Sequence, residues 1–257
     1  MQNATPLCEI VAAEHHAVNE VERLVRDVAR PARCDVWIYS KSGSCRQIAS
    51  TKWAAAALVS VSCSELPNRG REQHTFAHHI LRHWNMLPAR MHLVALPLSS
   101  HDRLSELQHG LLNPQHACKT FAGSTQHNQT FAERMTSVCG RASCPGEPSR
   151  RDDAPCRCRL LDFTLDRYHN ATLVAATPRP LWRWAEAHLN LSQATLRGLP
   201  VCTSGVASTS RAWLHSRPRT VYEAVLRETS VAVNGEAGHY MERLMAAVYG
   251  PPPRSGE

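Results

Sequence analysis

Residues 66–88 read LPNRGREQHTFAHHILRHWNMLP. Pro67-Asn-Arg-Gly is a turn signal, because proline presets φ while asparagine and glycine tolerate left-handed backbone. The spacing after that turn predicts a helix from Arg71 to about Trp84. Phe76, Ile80 and Trp84 recur at four-residue spacing and define its buried face. On the same wheel Arg71, His74 and His78 fall opposite, with Glu72, His79 and His83 along one flank, so a polar, solvated histidine face is expected.

The flanks decide what this helix packs on. Ile10 to Ala13 reads as a short buried strand. Val18, Val21, Leu24, Val25 and Val28 recur with helical spacing, which predicts an amphipathic helix over Glu14 to Ala29. Asp35 to Tyr39 alternates and is rich in β-formers, a second strand, closed by the turn Lys41-Ser-Gly-Ser. Lys52 to Val61 fits a helix or a strand. Met91 to Leu96 reads as a third strand. Strand, helix, strand, turn, helix, strand is the order of a single doubly wound, mostly parallel α/β sheet. At 257 residues, one domain over 1–250 is the expectation. Later helices are expected at Leu181 to Leu191, at Pro218 to Glu228 with proline in the first turn, and at Gly238 to Val248. The closing PPPRSGE, 251–257, reads as a disordered tail.

Residues 113–158 break this rhythm and read as an irregular, Cys-rich insertion. They hold five of the ten cysteines. Cys139-x4-Cys144 and Cys156-x-Cys158 fit zinc-ligand spacing poorly, so disulfides are expected over a zinc site. An even cysteine number and four sequons, at Asn3, Asn128, Asn170 and Asn190, favour an oxidising setting in the secretory pathway, Golgi lumen or extracellular, and a disulfide-bonded glycoprotein. The alternative is a cytoplasmic protein with free thiols. MQNATPLCEI shows neither a basic n-region nor an apolar h-region. Either a signal or anchor is missing from this chain, or the protein stays inside the cell. The longest mostly apolar run, Trp53 to Cys63, is too short to cross a bilayer, so no transmembrane segment is expected. The formal net charge of +7 comes from scattered basic residues, all but three of them arginine. Without a recognised motif they argue against a nucleic-acid partner.

The start of the central helix carries the candidate chemistry. Open α/β sheets bind ligands beyond the carboxyl ends of their strands, where the next helices begin. Asn68, Gly70, Arg71, Glu72 and His74 occupy such a start. Free backbone N–H groups beside Arg71 suit a phosphate or carboxylate. Gly70 would permit close backbone approach, and Asn68 and Glu72 would orient sugar or ribose hydroxyls. The bland alternative is that Asn68 and Glu72 cap the helix and Arg71 is solvated. His74 and His78 share a helix face, but HTFAH lacks the carboxylate a zinc hydrolase needs, so no metal site is assigned there. Late in the chain, His239 and Glu242 are three apart and meet on one helix face. Glu242 is placed as a general base and His239 as its assistant; the alternative is a surface helix that closes the fold. No D-x-D holds a diphosphate metal: Asp152-Asp153 lies in the insertion, and Asp162 and Asp166 lie outside the motifs.

The central stretch resembles the signature of a family of mostly fungal and algal proteins known as a domain of unknown function, roughly P-N-x-G-R-E-x-H-T-[YF]-x-x-H-I, then an aromatic residue and L-P. It maps onto Pro67, Asn68, Gly70, Arg71, Glu72, His74, Thr75, Phe76, His79, Ile80, Trp84, Leu87 and Pro88. Glu9-Ile-Val-Ala-Ala and Asp35-Val-Trp-Ile-Tyr-Ser-Lys41 resemble the family's first strand and its I-Y-N-K strand end, with Ser40 for the usual asparagine. Leu93 to His101 keeps a proline and a histidine of F-L-Q-G-x-P-x-x-H but lacks Gln-Gly. Gly205 to Arg211, Tyr222, His239 to Leu244 and Tyr249-Gly250 are similar to its closing pattern, with Met245 for the usual tryptophan. About two thirds of the chain is covered. The combined reading is a glycosyltransferase moving a sugar from a nucleotide donor to a glycan or small acceptor, with a divalent metal such as manganese as the cofactor such a donor brings. Its rival is a non-catalytic carbohydrate- or protein-binding domain on the same scaffold.

Overall fold

The computed structural model describes residues 7–51, 58–100, 102–113, 118, 173–202 and 204–252. One five-stranded sheet organises them. β1 (Cys8–Glu14) is buried along its whole length and pairs in parallel with β2 (Asp35–Ser40) on one side and β4 (Arg90–Ala95) on the other. β3 (Val61–Glu65) extends the parallel set beyond β2. β5 (Val206–Ser210) closes the other edge, antiparallel to β4. A central strand covered on both faces cannot alternate apolar with polar, which is why Ile10 to Ala13 reads as a continuous apolar run between Glu9 and Glu14.

Alternate residues of the strands feed two separate cores. Ile10, Ala12, Val36 and Ile38 pack with Val21 and Leu24 of helix α1 and with Val25 and Val28 just beyond its end. That helix (Val18–Leu24) runs on through a π-helical stretch (Val25–Ala29) to a last turn at Arg30–Ala32. α2 (Cys45–Ala49) and α4 (Arg103–Leu112) complete this layer through Ile48 and Leu107. On the opposite face Val11, Ala13, Tyr39 and Leu93 meet Phe76, Ala77 and Ile80 of α3 (Arg71–Arg82). Further helices thicken that face: α5 (Leu181–Leu189), the short α6 (Gln193–Arg197) and α7 (Arg211–His215), α8 (Arg219–Thr229), α9 (Glu236–Arg243) and α10 (Met245–Tyr249). The doubly wound, mostly parallel α/β architecture is therefore present.

Three local expectations change. The single last helix is two, broken at Leu244, which caps α9 and opens α10. In the 52–61 stretch, compatible with helix or strand, Val61 begins strand β3 beside β2, and residues 52–57 lie outside the described residues. The histidine face of α3 is not solvated: Glu72, Gln73, His74, Thr75 and His79 are buried with Phe76 and Ile80. The wheel predicts one covered face, but α3 is wedged between the sheet and helices α8 and α9, which cover it from several sides.

Three disulfides join described residues: Cys8–Cys34, Cys45–Cys63 and Cys118–Cys202. The first ties the start of β1 to the end of α1, the second ties α2 to β3, and the third anchors Cys118 to the segment before β5. They fit an oxidising compartment. The Cys139–Cys144 and Cys156–Cys158 motifs and most of the expected insertion lie outside the described residues, as do the tail positions 253–257. Asn190 is exposed at the end of α5; the other three sequon asparagines lie outside the described residues. Among the described residues no helix is long and apolar enough to cross a membrane.

Candidate functional site

In this sheet the chain leaves β1 toward β2 and β3, then returns on the other side of β1 as β4. The point between β1 and β4 is where an open α/β sheet leaves a crevice at its carboxyl end. A cavity of about 480 Å³ lies there, within the size range of small-ligand sites. Its floor is Ala13, Glu14 and His15 at the end of β1 and Ala95-Leu96 at the end of β4. Lys41, just past β2, and Asn68, Arg71 and Glu72, at the entry to α3, form one wall. Val233, Asn234 and His239 close the opposite side.

The entry to α3 is built from two left-handed residues, Gly70 (φ 58°) and Arg71 (φ 53°). They fold the turn so that the Arg71 side chain points back across the crevice. Gly70 itself does not line the cavity. A Cβ there would sit 2.1 Å from the Thr229 carbonyl oxygen at the end of α8, and the Gly70 N–H donates to the Ala232 carbonyl at 2.8 Å. Its lack of a side chain serves the contact with α8, not approach to a ligand. Gly238 of α9 is close-packed from the other side, where a Cβ would meet the Gly70 carbonyl at 3.4 Å.

Arg71 is the hub. Its Nε is 3.6 Å from Glu72 Oε2, its Nη1 is 3.7 Å from Glu242 Oε2, and Nη1 also donates to His239 Nδ1. With Nδ1 accepting, the proton of His239 resides on Nε2 and is donated to Asn234 Oδ1 at 3.2 Å. Burial, then the adjacent Arg71 and Arg243, drive the His239 pKa far below the usual histidine value, so it is a neutral acceptor for the guanidinium. The two carboxylates part company. Burial would raise Glu72, but Arg71, its own backbone N–H, Arg103 and Lys41 together hold it below the usual value. Burial and the neighbouring Glu72 push Glu242 up, against Arg71, Arg243 and Arg103. Carboxylates driven apart in this way take different roles, the lower one staying ionised and the higher one exchanging a proton more readily.

Asn68, Arg71, Glu72 and His239 are thus brought to one cavity, with Asn68 Nδ2 3.1 Å from His15 Nε2. Glu242 does not line it; it stands behind Arg71 with 13% of its side chain exposed. His74 is buried away from the cavity. It stacks on His78 with ring centroids 6.4 Å apart, and its Nδ1 has no hydrogen-bond partner among the described residues. Among those residues no cluster of three histidine, cysteine or acidic side chains is arranged to hold a metal. His79, on the motif's inner face, joins a buried relay instead: its Nδ1 is 3.0 Å from the Tyr39 hydroxyl and its Nε2 3.2 Å from Glu9.

Sequence reasoning missed Lys41, Glu14, His15, Asn234 and Arg103. Lys41 carried a readable signal, since it directly follows a strand that ends at the crevice. Arg103 did not. It sits at the start of α4, is 7% exposed, and donates from Nε to the Ser204 carbonyl at 2.6 Å. Left-handed Gly205 (φ 73°) keeps space open there: a Cβ would be 3.6 Å from both Arg103 Nη2 and Glu72 Oε1. That Glu72 oxygen is buried and has no hydrogen-bond partner among the described residues. Comparison of the chain with protein families, curated proteins and solved structures found no match.

Proposed function

We propose that this chain is a glycosyltransferase that moves a sugar from a nucleotide donor to a hydroxyl of a glycan or small acceptor. The observation that carries the proposal is the pair Glu72 and Glu242, joined by Arg71 at the switch-point cavity, with pKa values driven in opposite directions. Ionised Glu72 lines the cavity and orients donor or acceptor hydroxyls, with Asn68 beside it. Glu242, shifted upward, is the better proton acceptor of the pair and takes the general-base role; that role requires the Arg71 side chain to swing aside, because Glu242 itself does not line the cavity. His239 does not assist it directly; it fixes the Arg71 guanidinium between the two carboxylates. The residues present offer no D-x-D for a diphosphate-bound cation, so a manganese requirement is not built into the mechanism. The disulfides support work in the secretory pathway, in the Golgi lumen or outside the cell.

A second reading is favoured by one observation: Glu242 does not line the cavity. On that reading the Arg71 network is structural and the crevice binds carbohydrate or a protein without catalysis. Release of nucleoside diphosphate from a nucleotide sugar, with acceptor glycans present, separates the two. Glu242→Gln should leave donor affinity intact and lower turnover about 10²–10⁴-fold, the usual contribution of a general base. Turnover per folded molecule that is unchanged in Glu242→Gln refutes the base assignment.

A further inference from the structure

The cation that the sequence pointed to, Arg71, is already engaged by Glu72, Glu242 and His239. Lys41 is the other cation lining the cavity, and its bonding differs. Its Nζ donates to the carbonyl oxygens of Arg69 and Arg71, the two ends of the left-handed turn. An ammonium carries three N–H groups. Two are used in this way, and the third has no partner among the described residues. Arg71 and Lys41 both line the cavity, and Arg69 stands in the same turn between the lining residues Asn68 and Arg71, so the ammonium is fixed at the cavity edge rather than waving in solvent.

We propose that Lys41 is the anion-holding residue of the switch-point cavity, and that the anion is a phosphoryl group. A lysine ammonium is a compact point charge suited to phosphate, whereas a planar carboxylate is better matched by a guanidinium fork. The site adds the amino end of the 12-residue helix α3, whose first residues Arg71 and Glu72 line the same cavity, and whose dipole favours negative charge. The Asn68 amide and the His15 ring stand on the same rim. Two carboxylates face Lys41 as well. Glu14 is turned away from a ligand, because its oxygens accept from the Ala17 N–H at 2.7 Å and the Ser42 hydroxyl at 2.9 Å. Glu72 Oε2 is directed to Arg71, and its Oε1, buried without a hydrogen-bond partner among the described residues, lies beside Gly205 and Arg103.

Burial lowers the Lys41 pKa to about 8, with Glu72 opposing and Arg71 reinforcing the shift. His15, lowered first by burial, and His239 are the other titratable groups around the cavity. Anion affinity should therefore be present below about pH 8 and fall above it, as the ammonium is lost. The inference leans on the proposed function only in that a nucleotide sugar's diphosphate is one source of the group; free phosphate or pyrophosphate is the other.

Calorimetric titration of the folded protein with inorganic pyrophosphate tests it. At pH 7 the parent should bind, Lys41→Met should weaken binding by about tenfold or more, and Lys41→Arg should restore most of it. A role confined to bracing the turn would not give the loss of affinity above pH 8. A parent that does not bind pyrophosphate, a Lys41→Met variant that binds like the parent, or acetate bound as tightly as pyrophosphate each overturns the inference. Pyrophosphate bound through Lys41 with every nucleotide sugar ignored supports it while sinking the proposed transferase. A nucleotide sugar bound equally by parent and Lys41→Met overturns it and leaves the transferase standing.

Discussion

Replacing Arg71 with leucine removes the charge between two carboxylates but keeps an apolar stem. Read from sequence, Arg71 is a solvated side chain whose loss costs little folding energy. The structure predicts otherwise. Its guanidinium is 3.6 Å from Glu72 and 3.7 Å from Glu242, whose side chains are 7% and 13% exposed. Removing one partner of a fully buried ion pair costs about 3–5 kcal/mol, because the other charge is stranded. Arg71 is 25% exposed and its ionic contacts are long, so solvent screening reduces that to about 2–3 kcal/mol. At about 2–4 °C per kcal/mol for a protein of this size, the melting temperature should drop by roughly 4–12 °C at pH 7. The pH dependence carries a sign. Without Arg71 both carboxylates shift upward, and a group raised in the folded state stabilises below its unfolded pKa and loses that contribution as pH rises. The gap between variant and parent should therefore narrow on acidification. Adding Glu242→Gln to Arg71→Leu should recover part of the loss, since one stranded charge is gone. Urea denaturation of the parent, both single variants and the double variant at several pH values measures all of this. An Arg71→Leu variant as stable as the parent, with strictly additive effects in the double variant, would refute the network.

Gly70→Ala meets both a left-handed φ and the Thr229 carbonyl 2.1 Å away, whereas Gly43→Ala meets a φ of 78° with nothing within 4 Å. Backbone strain of about 1–2 kcal/mol is common to both, and overpacking adds about 1–3 kcal/mol at Gly70 alone; equal losses in the two variants would contradict the packing role. Burial lowers His74 and His92 to about 4, so these histidines must charge on unfolding in acid. Their contribution to stability is present above about pH 6.5, the unfolded value, and is lost as pH falls toward 4. Glu242, shifted upward, runs the other way but is a single group. Melting temperature followed between pH 7 and pH 4.5 should fall, and less so in His92→Gln; a flat profile in the parent counts against buried neutral histidines.

The strands and the central helix were legible because their patterns are local: Ile10 to Ala13 is an unbroken apolar run and DVWIYS is rich in β-formers. β3 was not, since VSCSE carries only one large apolar residue and owes its strand state to pairing with β2. The break at Leu244 left no glycine or proline to read. For the site, the turn into α3 told where a ligand would sit, and four of the seven residues that the sequence singled out line one cavity. What the sequence could not show is which contacts those residues make with distant parts. Arg71 and His239 are 168 positions apart. Gly70 looked like a ligand-side glycine because only the fold brings Thr229 against it. His74 and His79 looked solvated because burial by α8 and α9 leaves no periodic trace in α3 itself.

The central claim is that the crevice between β1 and β4 holds a nucleotide sugar against Glu72. The most direct measurement is the melting temperature of the parent and of Glu72→Gln across a panel of nucleotide sugars, each with and without manganese. One donor should stabilise the parent, by about 2.7 kcal/mol at a hundred times its Kd, or roughly 5–11 °C, with a much smaller shift in Glu72→Gln. No shift with any donor, or a shift that Glu72→Gln keeps in full, would contradict it.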